Sequence, residues 1–438
     1  MNETRENHPM NKRHSTRPGI LRARIGAGLA AGLVAGAVAC NFDVTNPGPV
    51  QDEFLNNPGA FQAVVNGAVR RLNSGLNYTA FHGAIVTREL FPTGQTGQFG
   101  VEPKNSVGFL EENEQGTPWG DTQQGRWLVE DGLRRFQDAL GDADFNKSGV
   151  VALGYLWAGY ANRILGENMC EAVFDGGSAE PRTTYLTRAE EDFTKAITIG
   201  TAASQAATVQ AATAARAATR LDLGNWTGAV ADATGIPIDF VFQMKYHEVG
   251  DVYQYNRIAW ASMNQPYKAH TVWGTVYEDY YEATNDPRTP FQTTNQVGTG
   301  ALDCCGSVPW YPQKKYAATT GIDLSTGTEM RLIEAEAKLR DGAWQDAMTL
   351  INSLRTRAVV ATVTAANATE AWTALKRERG IELWMEGRRL NDLRRWKEGN
   401  TPGALDPREV VGAASHLDAQ DLCFPISKAE KDTNPNVR

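Results

Sequence analysis

The body of the chain lacks the sequence features that mark several common classes of functional site. Its 43 Lys and Arg residues are outnumbered by 51 Asp and Glu residues, and no basic block occurs after the N-terminal region. This charge pattern argues against nucleic acid as a partner. No Cys-x-x-Cys pair and no histidine cluster occurs, so no metal site is predicted. After the N-terminal region the chain also lacks Gly-x-Ser-x-Gly, His-Glu-x-x-His and phosphate-binding Gly-rich motifs, which argues against an enzyme.

The chain also lacks an uncharged segment long enough to predict a transmembrane helix with confidence. The apolar stretch "IGAGLAAGLVAGAVA" at residues 25–39 has only fifteen residues and follows five basic residues. This pattern is typical of a secretory signal peptide, so we predict that residues 1–39 are one. Met10 is an alternative start codon to Met1, because it shortens the basic region to a more usual length.

Cys40 follows this segment in "AVAC" and allows two interpretations. In the first, the segment is a bacterial lipoprotein signal and Cys40 becomes the lipidated first residue. In the second, ordinary cleavage after Ala39 leaves Cys40 as a plain thiol. The polar "NFDVTNPGPV" looks like a tether, which favours the lipoprotein and makes residues 40–50 a lipidated tether. The chain from Cys40 has 37 basic and 49 acidic residues, so we expect membrane attachment through acyl chains alone.

Four further cysteines can form disulfides in an exported protein. Cys304 and Cys305 are adjacent, and a bond between neighbours would be strained. Pairing each of them with Cys170 or Cys423 is the more relaxed arrangement, and the sequence does not decide between the two combinations.

A mainly α-helical fold is predicted by the spacing of apolar residues. An internal repeat supports it, because "LDLGNWTGA" at residues 221–229 and "LRDGAWQDA" at residues 339–347 share Leu, Gly, Trp and Ala at the same positions. Gly224 and Gly342 are expected to end the first helix of a helix–turn–helix unit. Such units resemble tetratricopeptide repeats, which must stack on neighbours to bury their apolar faces.

Two regions with little helical periodicity are rich in aromatic residues. One, at residues 91–127, is polar and Gly-rich; the other, at residues 236–316, is an insert between the two repeat copies. Helical units are expected near residues 51–230 and 325–400, within a single domain at residues 51–438. Loops displayed on a rigid helical scaffold commonly carry binding residues, although most of the aromatic side chains are expected to be core.

Several C-terminal segments resemble the SusD/RagB family of nutrient-uptake lipoproteins. They are "EMRLIEAEAKLRDGAWQDAMTLINSLRTRA" at 329–358, "ERGIELWMEGRRLNDLRRWKEG" at 378–399 and "CFPISKAEKDTNPN" at 423–436, with "NDPR" at 285–288 as a weaker match. The resemblance implies a tetratricopeptide-based outer-membrane lipoprotein on the extracellular face. It would capture glycans or other oligomers, such as peptides, for a SusC-like, TonB-dependent transporter. It also implies no catalysis and no cofactor.

The resemblance places the ligand site where the 91–127 region meets the insert. Trp and Tyr rings stack on the apolar faces of sugars, while polar side chains bond to the hydroxyl groups. "WYPQKKY" at residues 310–316 is also compatible with a buried strand. The predicted ligand-binding residues are Arg88, Phe99, Trp119, Tyr280, Tyr281 and Trp310. The alternative function is that of an exported helical-repeat scaffold that binds other proteins.

The stretch "ERGIELWMEGRRLNDLRRW" at residues 378–396 has five arginines and four acids, which nearly cancel. We interpret it as a scaffold helix with internal ion pairs rather than an anion-binding patch. Glu386 is expected to reach Arg389, and Asp392 to reach Arg388, Arg389 and Arg395. Gly387 is expected to allow a close helix crossing.

Overall fold

The computed structural model describes residues 52–93, 103–248, 254–263, 268–302, 305–412 and 415–437. The predicted signal peptide, the tether with Cys40 and the candidate Phe99 lie outside these residues. Residues 51–438 form one compact unit. Helices dominate it, and the strands are short, so the predicted mainly α class is confirmed.

The first half of this unit contains seven helices and three short strands within the described residues. In chain order they are α1 (Phe61–Val86), β1 (Phe91–Pro92), α2 (Pro103–Ser106), α3 (Gly116–Phe145), α4 (Gly149–Asn168), β2 (Glu171–Ala172), β3 (Glu180–Pro181), α5 (Thr183–Ala202), α6 (Ala206–Asp222) and α7 (Trp226–Thr234).

The second half contains the insert and the C-terminal helices. In chain order the elements are β4 (Val241–Met244), α8 (Arg257–Met263), β5 (His270–Thr271), α9 (Val276–Thr284), β6 (Val297–Leu302), β7 (Gly306–Pro309), β8 (Ile322–Thr326), α10 (Gly327–Arg340), α11 (Trp344–Arg357), α12 (Ala368–Glu382), α13 (Arg389–Glu398) and α14 (Lys428–Thr433). Short 3-10 turns lie at Asp52–Asn56, Pro58–Ala60, Glu112–Glu114, Pro407–Glu409 and Pro435–Val437.

Successive long helices pack against one another, from α1 and α3 through α4, α5, α6 and α7. The buried stripe of α1 is the one predicted, with Phe61, Val65, Ala68 and Leu72 in the main core. Small residues bring α4 close to α5. An added Cβ on Gly159 would lie 2.6 Å from the ring of Phe193, so a larger residue there would push the two helices apart.

The two repeat copies form the predicted helix–turn–helix units, α6–α7 and α10–α11. Gly224 and Gly342 follow the first helix of each unit with φ of 74° and 81°, a left-handed conformation that favours glycine. The copies also contact each other, because α7 packs on α10 and the Arg340 guanidinium lies 4.9 Å from the Trp226 ring centroid. The repeats are therefore adjacent in space despite the insert between them.

The first and last strands of the insert lie side by side on the helical scaffold. Strand β4 follows α7, β8 precedes α10, and the two strands pair antiparallel from Val241 opposite Thr326 to Met244 opposite Ile322. Because this pairing holds the two ends of the insert together, the intervening residues can vary without separating the repeats.

The predicted disulfide arrangement is wrong. Cys170 is bonded to Cys423, so neither is available to Cys304 or Cys305. The segments after α4 and before α14 run side by side, with Met169 bridged to Phe424, and this brings the two sulfurs together. Cys305 is also disulfide-bonded.

The stretch at residues 378–396 is not one continuous helix. It breaks between α12 and α13, where Met385 and Gly387 have φ of 60° and 71°. The break lets the Met385 N–H donate to Glu89 Oε1 at 2.6 Å. Gly387 makes the expected close approach, since an added Cβ would lie 3.3 Å from Ala80 Cβ of α1.

The interpretation of this stretch as internal ion pairs is largely confirmed. Asp392 accepts from Arg395 at 2.9 Å, as expected, and also from Arg379 at 2.9 Å. The expected bond from Arg388 is wrong, because Arg388 pairs with Glu329 at 2.7 Å. The expected pair of Glu386 with Arg389 is wrong, because the chain turns between them. Glu386 pairs instead with Lys315 at 2.8 Å, and Arg389 with Glu409 at 2.6 Å.

Candidate functional site

The two aromatic loop regions, which the resemblance implies to be in contact, meet at a short antiparallel strand pairing. Phe91 of β1 lies opposite Thr271 of β5, and Pro92 lies opposite His270. The Thr93 N–H extends the pairing by donating to the Ala269 carbonyl at 2.9 Å. We call residues 91–93, 268–273, 297–300 and 308–311 the loop junction.

The segment that ends the insert completes the loop junction. The Tyr311 N–H donates to Thr271 Oγ1 at 2.7 Å, and the Val272 N–H donates to the Tyr311 carbonyl at 2.9 Å. On the other side, the Gly300 N–H donates to the Thr93 carbonyl at 3.3 Å. Three stretches that are distant in sequence therefore share one small framework.

A cluster of aromatic rings lies at this junction. Trp273, which is partly exposed, meets the buried Phe91 edge to face at 5.6 Å between ring centroids. The exposed His416 approaches Phe91 from the C-terminal segment at 6.4 Å. The Arg88 guanidinium lies 4.9 Å from the Phe91 centroid and donates to the Ser106 carbonyl at 2.9 Å. Arg88 thus supports the ring from the buried side.

A second row of rings, which we call the aromatic ladder, consists of Tyr281, Phe291 and Tyr311. Tyr281 lies 5.1 Å from Phe291, and Phe291 is nearly parallel to Tyr311 at 6.0 Å. The two tyrosines are partly exposed, whereas Phe291 is buried between them. The ladder is joined to the loop junction through the backbone of Tyr311.

A segment of neutral polar side chains lies beside the aromatic ladder. Gln292, Asn295 and Gln296 are exposed in the segment between Phe291 and β6. Backbone bonds tie this segment to the ladder strand, with the Gln292 N–H donating to Pro312 and the Trp310 N–H donating to Gln296. Partly exposed rings beside exposed amides are the combination that stacks on sugar rings and bonds to their hydroxyl groups.

Four of the predicted site residues are buried, namely Tyr280, which is described below, and three others. Trp119 belongs to α3 rather than to a loop and is 2% exposed in a core with Tyr185 and Phe424. Trp310 is 4% exposed, and its indole N–H donates to the Ser262 carbonyl at 2.9 Å. Arg88 is 2% exposed, and burial lowers its pKa to about 10.

The burial of these three side chains gives them a packing or supporting position rather than an open surface. For Trp310 this matches the alternative interpretation of its segment as buried. Phe99 lies outside the described residues. Tyr281 is the predicted residue that the structure places in the aromatic ladder.

Tyr280 points from α9 towards α12 instead of the ladder. The Tyr280 hydroxyl donates to the Asp286 carboxylate. It also accepts a hydrogen bond from Arg355 Nη1 at 3.3 Å. Burial, followed by the bond to Asp286, raises the pKa of Tyr280 to about 12. The hydroxyl therefore stays protonated near neutral pH and acts as a donor.

The "NDPR" segment after α9 joins the insert to α12 through ion pairs. Arg288 donates to Asp286 and reaches across to Glu378 and Glu382 of α12, both at 2.7 Å. Glu378 also pairs with Arg355 at 2.9 Å. These contacts hold α9 on the C-terminal helices and so position the aromatic ladder that follows.

Sequence reasoning missed Trp273 and Tyr311 as site residues. Both are among the aromatic residues of the insert, but nothing in their own neighbourhood separates exposed rings from buried ones. The usable signal was the short apolar pair "LFPT" and "AHTVW", whose pairing as strands would have placed Phe91 and Trp273 together.

Within the residues that the structure describes, no group of three or more His, Cys, Asp or Glu side chains could hold a metal ion. Among the same residues, no helix combines the length and the apolar character needed to cross a membrane.

The fold matches solved structures of SusD-like proteins. A SusD/RagB family protein from Bacteroides thetaiotaomicron has a TM-score of 0.62 at 10% identity, over 85% of this chain and 94% of that one. Surface glycan-binding protein A from the same species, in complex with laminarihexaose, has a TM-score of 0.61 at 14% identity, over 86% and 98%. A SusD-like carbohydrate-binding protein from Bacteroides fragilis has a TM-score of 0.60 at 15% identity, over 88% and 100%.

Sequence comparison agrees with this structural likeness at the C-terminus. Residues 327–438 match the model of the SusD family, and no curated protein sequence matches the chain. The matched segment contains the repeat unit α10–α11 and the ion-paired helices α12 and α13, which carry the motifs of the resemblance. Residues 327–438 therefore match the SusD family in sequence, and the chain has the helical fold of SusD-like proteins.

Proposed function

We propose that the protein is a cell-surface lipoprotein of the outer membrane that binds oligomeric nutrients, glycans above all. In this proposal it is anchored by acyl chains on Cys40 and passes its ligand, chemically unchanged, to a SusC-like, TonB-dependent transporter. The observation that carries the proposal is the aromatic ladder with its border of exposed amides at the loop junction.

The chemistry of this surface favours a neutral sugar over a charged ligand. Within residues 292–299 the exposed polar side chains are amides and hydroxyls, including Asn295, Gln296 and Thr299, whereas Glu282 and Lys314 add one exposed charge of each sign near the ladder. Two structurally similar proteins support the same ligand class, since one is described as carbohydrate-binding and another is in complex with laminarihexaose. Peptides are the second ligand class that the resemblance implies.

The test is a binding screen of soluble oligosaccharides and peptides on the purified protein, followed by titration calorimetry. We expect an oligosaccharide to bind, and Tyr311→Ala and Trp273→Ala each to weaken it about tenfold, or about 1.4 kcal/mol. Trp127→Ala is the matched control, because Trp127 is 44% exposed on α3 and outside the loop junction. Chromatography of the ligand after incubation should recover it intact.

Two outcomes would contradict the glycan proposal. One is peptide binding in the absence of any oligosaccharide binding. The other is oligosaccharide binding that the Trp273 and Tyr311 variants keep while Trp127→Ala loses it.

For the transporter, affinity purification of the lipidated protein from outer membranes should recover a β-barrel transporter. Recovery of an unrelated protein alone would favour the scaffold function instead.

A further inference from the structure

Two carboxylates from different helices converge on one buried amide. The Asn162 amide nitrogen of α4 donates to Glu130 Oε1 of α3 at 3.3 Å and to Asp192 Oδ2 of α5 at 3.0 Å. Asn162 is fully buried, whereas the Glu130 side chain is 26% exposed and Asp192 is half-buried. The three side chains form a small polar group that solvent reaches through its carboxylates. We call this group the carboxylate–amide cluster.

The buried amide is satisfied on one side only. Asn162 Oδ1 has no hydrogen-bond partner among the described residues. Most buried acceptors in folded proteins have a partner, so this oxygen calls for an explanation. A half-turn of the amide exchanges its oxygen and its nitrogen and would bring the oxygen to the two carboxylates. The half-turn gives up no hydrogen bond at the oxygen, because the oxygen makes none.

The spacing within the cluster is that of oxygens around one small cation. Oxygen ligands lie about 2.0–2.1 Å from Mg²⁺ and about 2.3–2.6 Å from Ca²⁺, so two ligands at right angles are roughly 2.9–3.7 Å apart. The amide nitrogen lies 3.0 and 3.3 Å from the two carboxylate oxygens. With the amide turned, its oxygen therefore stands at ligand spacing from both carboxylates, and none of the three helices needs to move.

The negative charge of the cluster is not balanced by the basic residues around it. Glu130 pairs with Arg126, but Arg126 also pairs with Asp175 at 2.9 Å. Asp192 forms no ion pair with Lys195 or with any other residue in the described part of the chain. Burial, followed by the neighbouring Glu130 carboxylate, raises the pKa of Asp192 to about 7. The two carboxylates thus share one amide where a cation would stabilise both.

We propose that Glu130, Asn162 and Asp192 bind a hard divalent cation, with Ca²⁺ as the ion that they suit best. Carboxylate and amide oxygens are ligands of Ca²⁺, whose flexible geometry accepts water in the remaining positions. No local motif marks the site in the sequence, because the three ligands come from three helices. With three protein ligands, the affinity falls in the range of weak extracellular sites, with a Kd of about 0.1–1 mM.

Calcium chloride is the probe, added to the purified protein after its divalent cations have been removed with a chelator and dialysis. We expect saturable binding in titration calorimetry, with a Kd of about 1 mM or tighter. Asp192→Asn keeps the shape of the side chain and removes its charge, so it should weaken Ca²⁺ binding at least about tenfold. This variant also removes the repulsion between the two carboxylates, so it should remain folded.

Glu191→Gln is the matched control. It removes the same charge from the adjacent, exposed residue of α5, which does not contact the Asn162 amide. Its Kd for Ca²⁺ should stay within about twofold of the wild-type value, because the charge of an exposed side chain is screened by water.

Asn162→Asp separates a cation site from an amide with only a structural role. It turns the amide into a third carboxylate, which should lower the melting temperature in the absence of Ca²⁺ and tighten Ca²⁺ binding at least about tenfold. A structural amide predicts the loss of stability without any gain in Ca²⁺ affinity.

The proposal is overturned if the wild-type protein shows no saturable Ca²⁺ binding, or if Asp192→Asn binds Ca²⁺ as tightly as the wild type. It is also overturned if Glu191→Gln weakens binding as much as Asp192→Asn, since that would show general attraction by surface charge. Oligosaccharide affinity should be equal with and without Ca²⁺, because the cluster shares no residue with the loop junction or the aromatic ladder. The cation site and the glycan site can therefore fail or succeed independently.

Discussion

At the scale of single residues, the buried charges of the C-terminal helices are arranged in pairs and triads. Asp392 is 2% exposed and bonds to both Arg379 and Arg395. Burial alone would raise the pKa of Asp392, but the two arginines outweigh it and hold the pKa well below its ordinary value. The side chain is therefore charged, and its charge is satisfied only inside the fold.

Asp392→Asn should lower the free energy of unfolding by about 3–5 kcal/mol, because it leaves two buried guanidinium groups without their shared carboxylate. Urea unfolding measures this. Asp346→Asn, at an exposed carboxylate on α11, is the control and should change stability by less than about 0.5 kcal/mol. Oligosaccharide affinity of the folded variant should equal that of the wild type; a selective loss of affinity at unchanged stability would contradict this structural role.

The pKa of a second buried carboxyl, Glu89, is shifted in the opposite direction to that of Asp392. Burial raises its pKa to about 7, although the Met385 N–H bonds to it. Between its ordinary value of 4.5 and about 7, the folded protein keeps a proton that the unfolded chain has lost. Glu89 therefore contributes stability below pH 4.5 that is lost as the pH rises to 7.

Glu89→Gln should remove this dependence. From pH 4.5 to pH 7 the variant should gain up to about 3 kcal/mol of stability relative to the wild type, as measured by urea unfolding at a series of pH values. His82, whose pKa burial lowers to about 3, titrates in both proteins and cancels in the difference. A constant difference across this range would show that Glu89 is charged in the fold.

At the scale of elements, the break between α12 and α13 decides how the signature segment packs. A continuous helix would have carried Trp384 and Met385 past α1. The turn instead lets the Trp384 indole donate to the Glu89 carbonyl at 3.1 Å, next to the bond from Met385 to the Glu89 side chain. Gly387 makes the turn possible through its positive φ.

Gly387→Ala should destabilise the protein by roughly 1–2 kcal/mol, because alanine is strained at a φ of 71° and its methyl would press on Ala80. Gly67→Ala is a control of opposite sign. A Cβ on Gly67 meets no atom within 4 Å in the helical interior of α1, so this change should add about 0.5–1 kcal/mol. Equal melting temperatures for the two variants would refute the argument.

At the scale of the whole molecule, a disulfide and a strand pairing join segments that are far apart in the sequence. The Cys170–Cys423 disulfide joins residues 253 positions apart and lies beside the bridge of Met169 with Phe424. It connects the segment after α4 to the segment before α14. The insert is closed in a similar way by the pairing of β4 with β8.

Replacing both Cys170 and Cys423 with alanine should lower the free energy of unfolding by roughly 2–4 kcal/mol, since the bond restricts the unfolded chain. Guanidinium unfolding of the double variant under oxidising conditions measures it and keeps the disulfide of Cys305 intact. A midpoint equal to that of the wild type would show that the surrounding bridge suffices. Oligosaccharide binding should persist, because neither cysteine lies at the loop junction.

The sequence by itself determined the helical class, the repeat units and the family segment. These follow from local patterns, such as a glycine after a helix and apolar residues on one helical face, which act over a few residues. That the two aromatic regions meet came from the resemblance, and their pairing through β1 and β5 came only from the structure. The sequence did not determine the pairing of the cysteines, because it depends on a bridge between distant segments. It also did not determine the partners of Glu386 and Arg389, because they depend on the turn between α12 and α13.

Only the tertiary structure decided which aromatic rings face outwards. Trp119 and Trp310 are buried because Tyr185, Phe424 and Ser262, all distant in sequence, pack on them or bond to them. Trp273 and Tyr311 remain partly exposed because they follow β5 and β7 at the edge of the loop junction. Exposure is a property of the neighbours that folding supplies, so the composition of a loop cannot determine it.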